Sequence, residues 1–364
     1  MKRLGIAAIA LFLLAPRLPA QAPPDSVRIA SAREAVRARL DSIPGIAVAV
    51  ARDGRIIWSE GFGWADLEQR VPVTTATEFR IGSVSKSLTS AAVGLLVQEG
   101  KLDLDAPVQR YVPSFPVKPW PVTTRLVAGH LAGIRHYRGN EFVLYKRYDN
   151  VLASLDIFKD DSLLFQPGTR FSYSSYGWNL VSAVIEGASG DDYLHFMRTR
   201  VFEPLHLTHT GPDWLDSIVP HRTRYYGRDR GTWVNTPAVD NSYKWAGGGF
   251  LSTAEDLVTY GSALLQPGFL KAETLRLLFT SQRTTAGAET GYGIGWFVGT
   301  DTTFGLVLSH GGGSVGGTSQ LVIFPASHLV LAIVTNMTDA RLGGLVRQLE
   351  RAFLGDLGGS ITPS

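Results

Sequence analysis

The sequence predicts an α+β fold in which one antiparallel sheet is assembled from both ends of the chain, flanked by helices, with a mostly helical domain inserted between the halves. Three observations carry this. Short apolar runs separated by turn residues occur near the start, at 46–58, and again near the end, at 306–334. Between them, from about 87 to 285, helical segments alternate with long loops rich in Gly and Pro. Strands at both termini around a helical middle segregate the two kinds of layer, and 364 residues at 45% apolar composition suffice for a large core.

Taken in order, Lys2-Arg3, the apolar run Leu4 to Ala15 and the small-residue stretch ending at Ala20 and Ala22 have the three regions of a secretory leader. The expectation is a signal peptide over 1–22, cleaved after Ala20 or Ala22, and a protein exported across the inner membrane to the periplasm. The run is too short for the roughly 20 residues of a spanning helix, so no stable membrane anchor is expected. Removing Lys2, Arg3 and Arg17 takes the basic residues from 35 to 32, against 32 acidic ones. A formally neutral mature chain argues against a nucleic-acid partner. With no cysteine, thiol nucleophiles, thiolate metal sites and disulfides are excluded.

From Val27, Ile29, Ala32, Val36, Leu40 and Ile43 recur at helical spacing, predicting an amphipathic helix over about 25–42. Ile46 to Val50, Asp53-Gly54 and Arg55 to Trp58 read as strand, tight turn and returning strand. Leu88 to Val97 reads as a buried helix, and Tyr292 to Trp296 as the start of a strand. Leu306 to Ser309, Gln320 to Phe324 and Leu329 to Val334 are strands, followed by a helical stripe over Leu342 to Phe353. The domain reading is 23–82 with 286–364 as an α/β part and 83–285 as a helical part, the site lying in the crevice between them.

The chemistry begins at Ser83-Val84-Ser85-Lys86, the one Ser-x-x-Lys in the chain. Three residues apart on a helix, hydroxyl and amine share a face, and a lysine in a partly apolar pocket can lose its proton and serve as the serine's base. Further along, Tyr173 lies in the polar turn Phe171 to Gly177, and His310 precedes Gly311, Gly312 and Gly313 on a strand. Read singly, Tyr173 is as well explained by a satisfied buried aromatic and His310 by a strand-end histidine. Together with Ser83 and Lys86 they form a constellation.

That constellation resembles the class C β-lactamases, D-alanyl-D-alanine carboxypeptidases and related esterases, and most closely the mitochondrial serine β-lactamase-like branch. Matching stretches are His130 to Tyr137, Leu155 to Gly168, Asn235 to Thr253 and Gly311 to Leu321. The resemblance implies a β-lactamase/transpeptidase-like fold and an acyl-enzyme mechanism acting on a small-molecule or peptide substrate without a cofactor. Ser83 would attack an amide or ester carbonyl, with Lys86 and Tyr173 sharing proton transfer. The backbone N–H groups of Ser83 and Gly313 would form the oxyanion hole, with Gly312 and Ser175 as further substrate-binding positions. Ser175 stands where many relatives have Asn, and His310 where β-lactamases have Lys. A histidine is mostly neutral at pH 7, so peptide or ester substrates lacking a nearby free carboxylate are favoured over β-lactams.

Three other readings compete. Gly312 to Gly316 fits the Gly-x-Ser-x-Gly elbow around Ser314, but the only histidine after it, His328, precedes Asp339 and Asp356, the wrong order for that triad. None of the eight histidines has a recognisable metal-ligand spacing, so no metal is expected, and His130 and His136 are read as orienting loops beside the site. A non-catalytic penicillin-binding-like or self-associating module remains the alternative function, because fold does not fix function.

Overall fold

The computed structural model describes residues 25–355. The expected leader over 1–22 lies outside the described residues. Seven strands form the main sheet: β1 (Gly45–Arg52), β2 (Arg55–Asp66), β3 (Val71–Pro72), β4 (Phe297–Asp301), β5 (Gly305–Ser314), β6 (Gly317–Phe324) and β7 (Leu329–Thr335). Their order is β3-β2-β1-β7-β6-β5-β4, so the two chain ends meet where β1 pairs antiparallel with β7, Ile46 opposite Thr335. The turn between β1 and β2 has Asp53 and Gly54 both at positive φ, the geometry that a two-residue hairpin requires.

Alternation along the central strands divides two cores. Ala47, Ala49 and Ala51 of β1, with Val330, Ala332 and Val334 of β7, face the helical part of the chain. Ile46, Val48 and Val50, with Leu329, Leu331 and Ile333, face the terminal helices α1 (Asp25–Arg37) and α6 (Gly343–Leu354). Each fully buried Val, Leu or Ile contributes about 1.5–3 kcal/mol, so a charged residue at Val48 or Ile333 would open the terminal layer. The small alanines admit α5 (Ala254–Ala263) close to the sheet, where a Cβ at Gly261 would sit 2.6 Å from Val330 Cγ1.

The helical part is built around α2 (Val84–Gln98), buried continuously from Val84 to Leu96, and α3 (Ser175–Ser189), buried from Ser175 to Ile185. Both run through the interior of this part, α2 with Ser85, Lys86, Ser87, Thr89 and Ser90 among its buried residues. The short α4 (Trp245–Gly248) packs on both. The chain also makes small strands that apolar patterning did not mark: a hairpin of Tyr226–Asp229 with Thr232–Asn235, and a three-stranded sheet of Phe79–Arg80, Phe250–Ser252 and Gly211–Pro212.

Two expectations are corrected. The first helix ends at Arg37, and 38–42 winds on as tighter turns through bonds such as Leu40 N to Arg37 O. The strand expected from Tyr292 starts instead at Phe297. Gly295, at φ +79°, is pressed against Lys86 O and Ser90, which makes 292–296 a loop wrapped on α2.

Candidate active site

Ser83 is the N-cap residue of α2, yet its side chain makes no capping bond. Gly82, at φ +48°, turns the chain into the helix, and its backbone lies directly on that of Gly313. Ser83 Oγ, part-exposed, accepts a hydrogen bond from Lys86 Nζ at 3.0 Å. A serine in this position ordinarily spends its hydroxyl on the helix end; here it is left for the amine one turn on.

Lys86 is completely buried. Its Nζ donates to the Gly247 carbonyl oxygen, is within hydrogen-bonding distance of Ser83 Oγ and of Ser175 Oγ at 3.1 Å, and lies 4.8 Å from the centre of the Tyr173 ring. No carboxylate pairs with it among the described residues. Burial, reinforced by the Lys244 cation, pushes its pKa well below the ordinary amine range. Burial moves Tyr173 the other way, above the usual phenol value, although the Ser83 and Ser175 hydroxyls beside it oppose the shift. At neutral pH the arrangement is therefore an amine disposed to be neutral beside a phenol that keeps its proton.

Two histidines hold the turn that carries Tyr173 into α3, whose first residue is Ser175. His130 Nδ1 accepts the N–H of Ser174 and His136 Nδ1 accepts the N–H of Ser175, each at 3.1 Å, while the His130 carbonyl accepts the N–H of Ser172 at 2.8 Å. Ser174 Oγ takes the Gly177 N–H at 3.0 Å. Acceptance at Nδ1 requires unprotonated rings; burial, and then the nearby Lys86, lowers His130 strongly and His136 to about 4. His130 also packs on Tyr173, ring centres 4.2 Å apart.

His310 is brought beside Tyr173, ring centres 6.3 Å apart, but it is buried and both nitrogens are engaged. Nδ1–H donates to the Gly311 carbonyl oxygen at 2.7 Å, which leaves Nε2 to accept from the Tyr292 hydroxyl at 2.9 Å. Burial and Lys86 lower its pKa to about 3, so the ring is neutral. His310, grouped with Ser83, Lys86 and Tyr173 from the sequence, is therefore a wall residue locked to Tyr292, with neither ring nitrogen left for a substrate. Tyr292 escaped the sequence reading because a single tyrosine before Gly-x-Gly carries no periodic signal.

Gly313 and Gly312, grouped together from the sequence, point to different surroundings. Gly313 is exposed, on the stretch of β5 beyond Ser309 where β4 no longer pairs with it. Gly312 is buried, and a Cβ there would fall 1.9 Å from Ile81 O and 2.4 Å from Ser319 Oγ, so its work is close packing. Gly247 and Lys244, inside the matching stretch Asn235 to Thr253, are further neighbours of the site. Ser314, the elbow-like serine, has a buried hydroxyl without a partner, and His328 sits at the other end of β6. Among the described residues, no group of three or more His, Asp or Glu is placed to hold a metal, and no helix is long and apolar enough to cross a membrane.

The family described as Beta-lactamase matches residues 32–351. The chain is 36% identical to human "Serine beta-lactamase-like protein LACTB, mitochondrial", over 93% of this chain and 83% of that protein. Its fold is similar to the octameric penicillin-binding protein homologue from Pyrococcus abyssi, TM-score 0.79 at 24% identity, covering 90% of this chain and 78% of that one. It is also similar to a D-stereospecific amidohydrolase from Streptomyces sp., TM-score 0.74 at 26% identity, covering 90% and 99%. The periplasmic expectation is overturned, since the human relative, matching nearly the whole chain, is mitochondrial.

Proposed function

The chain belongs to the Beta-lactamase family and is a serine hydrolase, and from that premise we propose that it cleaves an amide or ester bond through an acyl-enzyme on Ser83. The observation that carries this reading is the buried Lys86 amine, without a carboxylate partner, 3.0 Å from an accessible serine hydroxyl that caps nothing. Lys86 takes the Ser83 proton as Oγ attacks the carbonyl carbon, and the charge on the carbonyl oxygen is met by the N–H groups of Ser83 and Gly313. Removing one such donor typically costs about 2.7–4 kcal/mol in the transition state. The proton then passes through the hydroxyls of Ser175 and Tyr173 to the departing amine or alcohol. Water, losing a proton to Lys86, attacks the ester and returns Ser83 to its hydroxyl form.

This division makes Lys86 the base and Tyr173 the proton carrier, in accord with the opposite directions in which burial moves them. Substrates without a free carboxylate next to β5 are favoured, because His310 offers no cation there. The amidohydrolase similarity supports amides within this class. In this reading the site lies between the parts 23–82 with 286–364 and 83–285.

A fluorophosphonate probe tests the proposal, since its phosphorus takes the place of the carbonyl carbon. The adduct is expected on Ser83, and Ser83→Ala is expected to abolish labelling and to lower turnover of a generic ester by orders of magnitude, up to about 10⁶-fold. Lys86→Met and Tyr173→Phe should each slow labelling strongly. Undiminished turnover in Ser83→Ala would overturn the acyl-enzyme on Ser83, whereas a wild type that is neither labelled nor active would leave the non-catalytic binding reading.

A further inference from the structure

Lys244 is a second lysine sealed inside the molecule, and the acyl-enzyme steps give it no task. It ends the short turn Ser242–Lys244, one helical turn before Gly247, whose carbonyl accepts from Lys86 Nζ. Its side chain is 2% exposed, and its ammonium lies 4.7 Å from the ring centre of Phe142, 5.1 Å from Tyr243 and 6.0 Å from Tyr137. Aromatic faces stabilise a cation but take no proton from it.

No hydrogen bond or salt bridge joins the Lys244 ammonium to another described residue. The carboxylate in its neighbourhood, Asp213, is held by Arg80 at 2.6 Å, Arg222 at 3.2 Å and Asn241 at 2.7 Å. The titratable and charged groups that bear on Lys244 are thus Arg80, Asp213 and His136, with the Tyr137 and Tyr243 phenols beside it and Glu141 beyond them. Those that bear on Lys86 are Tyr173, His130, His136, His310 and Lys244. Two amines therefore share one buried region with no carboxylate bonded to either. Repulsion between them is far less screened than at a surface, and an amine beside another cation in an apolar pocket is a recognised form of activated lysine.

We propose that Lys244 is an electrostatic positioning residue, whose caged cation keeps the neighbouring Lys86 amine unprotonated and able to accept the Ser83 proton. The inference rests on the acyl-enzyme reading of Ser83 and Lys86. Burial, then Arg80, lowers Lys244 to about 7 against the opposing pull of Asp213, so it carries its charge below neutral pH.

The test is the pH dependence of fluorophosphonate labelling of Ser83 in the full chain, for wild type, Lys244→Met, Lys244→Gln and Lys244→Arg, after circular dichroism has established that each folds. Removing a like charge raises the Lys86 pKa, so the acid limb of Lys244→Met and Lys244→Gln should move to higher pH by about half a unit or more. Lys244→Arg, which keeps the charge, should leave the limb at or below the wild-type position. A limb unmoved in the neutral variants, or a loss of rate equal at every pH in neutral and charged variants alike, overturns the inference. If Met and Gln do not fold, a limb raised in Lys244→Arg overturns it as well. A wild type unlabelled at Ser83 would bring down the acyl-enzyme reading itself, whereas a labelled wild type with an unmoved limb brings down only the role of Lys244.

Discussion

Gly82 lies so close to Gly313 that a Cβ on Gly82 would sit 2.5 Å from the Gly313 carbonyl oxygen and 2.7 Å from its nitrogen. The residue before the nucleophile and the strand edge proposed to hold the oxyanion are thus in backbone contact. Gly82→Ala must both push this edge away and hold an L-residue at φ +48°, which strains the backbone by about 1–2 kcal/mol. The expected outcome is a folded protein with kcat/KM lowered by about 10²-fold, the usual consequence of misplacing reacting groups by an ångström. Steady-state kinetics on an ester together with a thermal melt check this, and an active Gly82→Ala would show that the contact is dispensable.

Ser314→Ala makes the opposite kind of variant. The Ser314 hydroxyl is buried and unpartnered, so removing it relieves an unsatisfied group. Stability should be unchanged or raised by about 1 kcal/mol, and labelling of Ser83 should be intact. A denaturant midpoint that falls, or labelling that disappears, would restore a role for this serine.

Tyr292 and His310 form a buried pair in which the phenol donates to Nε2 at 2.9 Å. Tyr292→Phe leaves the imidazole acceptor buried without its donor, a loss of about 1–3 kcal/mol in unfolding free energy. Because His310 is neutral in either protein, the carboxylate preference of the enzyme should not change. Urea denaturation and a pair of substrates with and without a carboxylate measure the two effects separately.

The histidine acceptors make stability depend on pH in one direction. His136 is lowered to about 4 and His310 to about 3 in the folded state, from an unfolded value near 6.5. A depressed folded pKa gives stability that is complete above about 6.5 and is lost as pH falls towards 4, because the unfolded chain binds protons the folded one refuses. The thermal midpoint should decline over that window. His136→Asn, whose amide oxygen can accept the Ser175 N–H, should flatten the decline, and His136→Ala should lower the midpoint at pH 7. A midpoint equally steep with pH in wild type and His136→Asn would assign the acid sensitivity elsewhere.

What the sequence determined by itself was what recurs locally. The apolar run Ile46 to Val50 marked a strand, Asp53-Gly54 marked its turn, and the three-residue step from Ser83 to Lys86 put hydroxyl and amine on one helical face. These depend on backbone periods of two and 3.6 residues, which any stretch of the chain declares without its neighbours. Tertiary structure alone decided what surrounds the pair. Ser175 reaches Lys86 across 89 residues and Gly247 across 161, while His130 and His136 reach the start of α3 across 44 and 39. The same assembly buried His310 against Tyr292 and placed Lys244 in its aromatic cage. Such contacts have no period, and the pKa shifts they produce come from water excluded by several elements at once, so the identities of Lys86 and His310 were legible in the sequence while their protonation was set by packing.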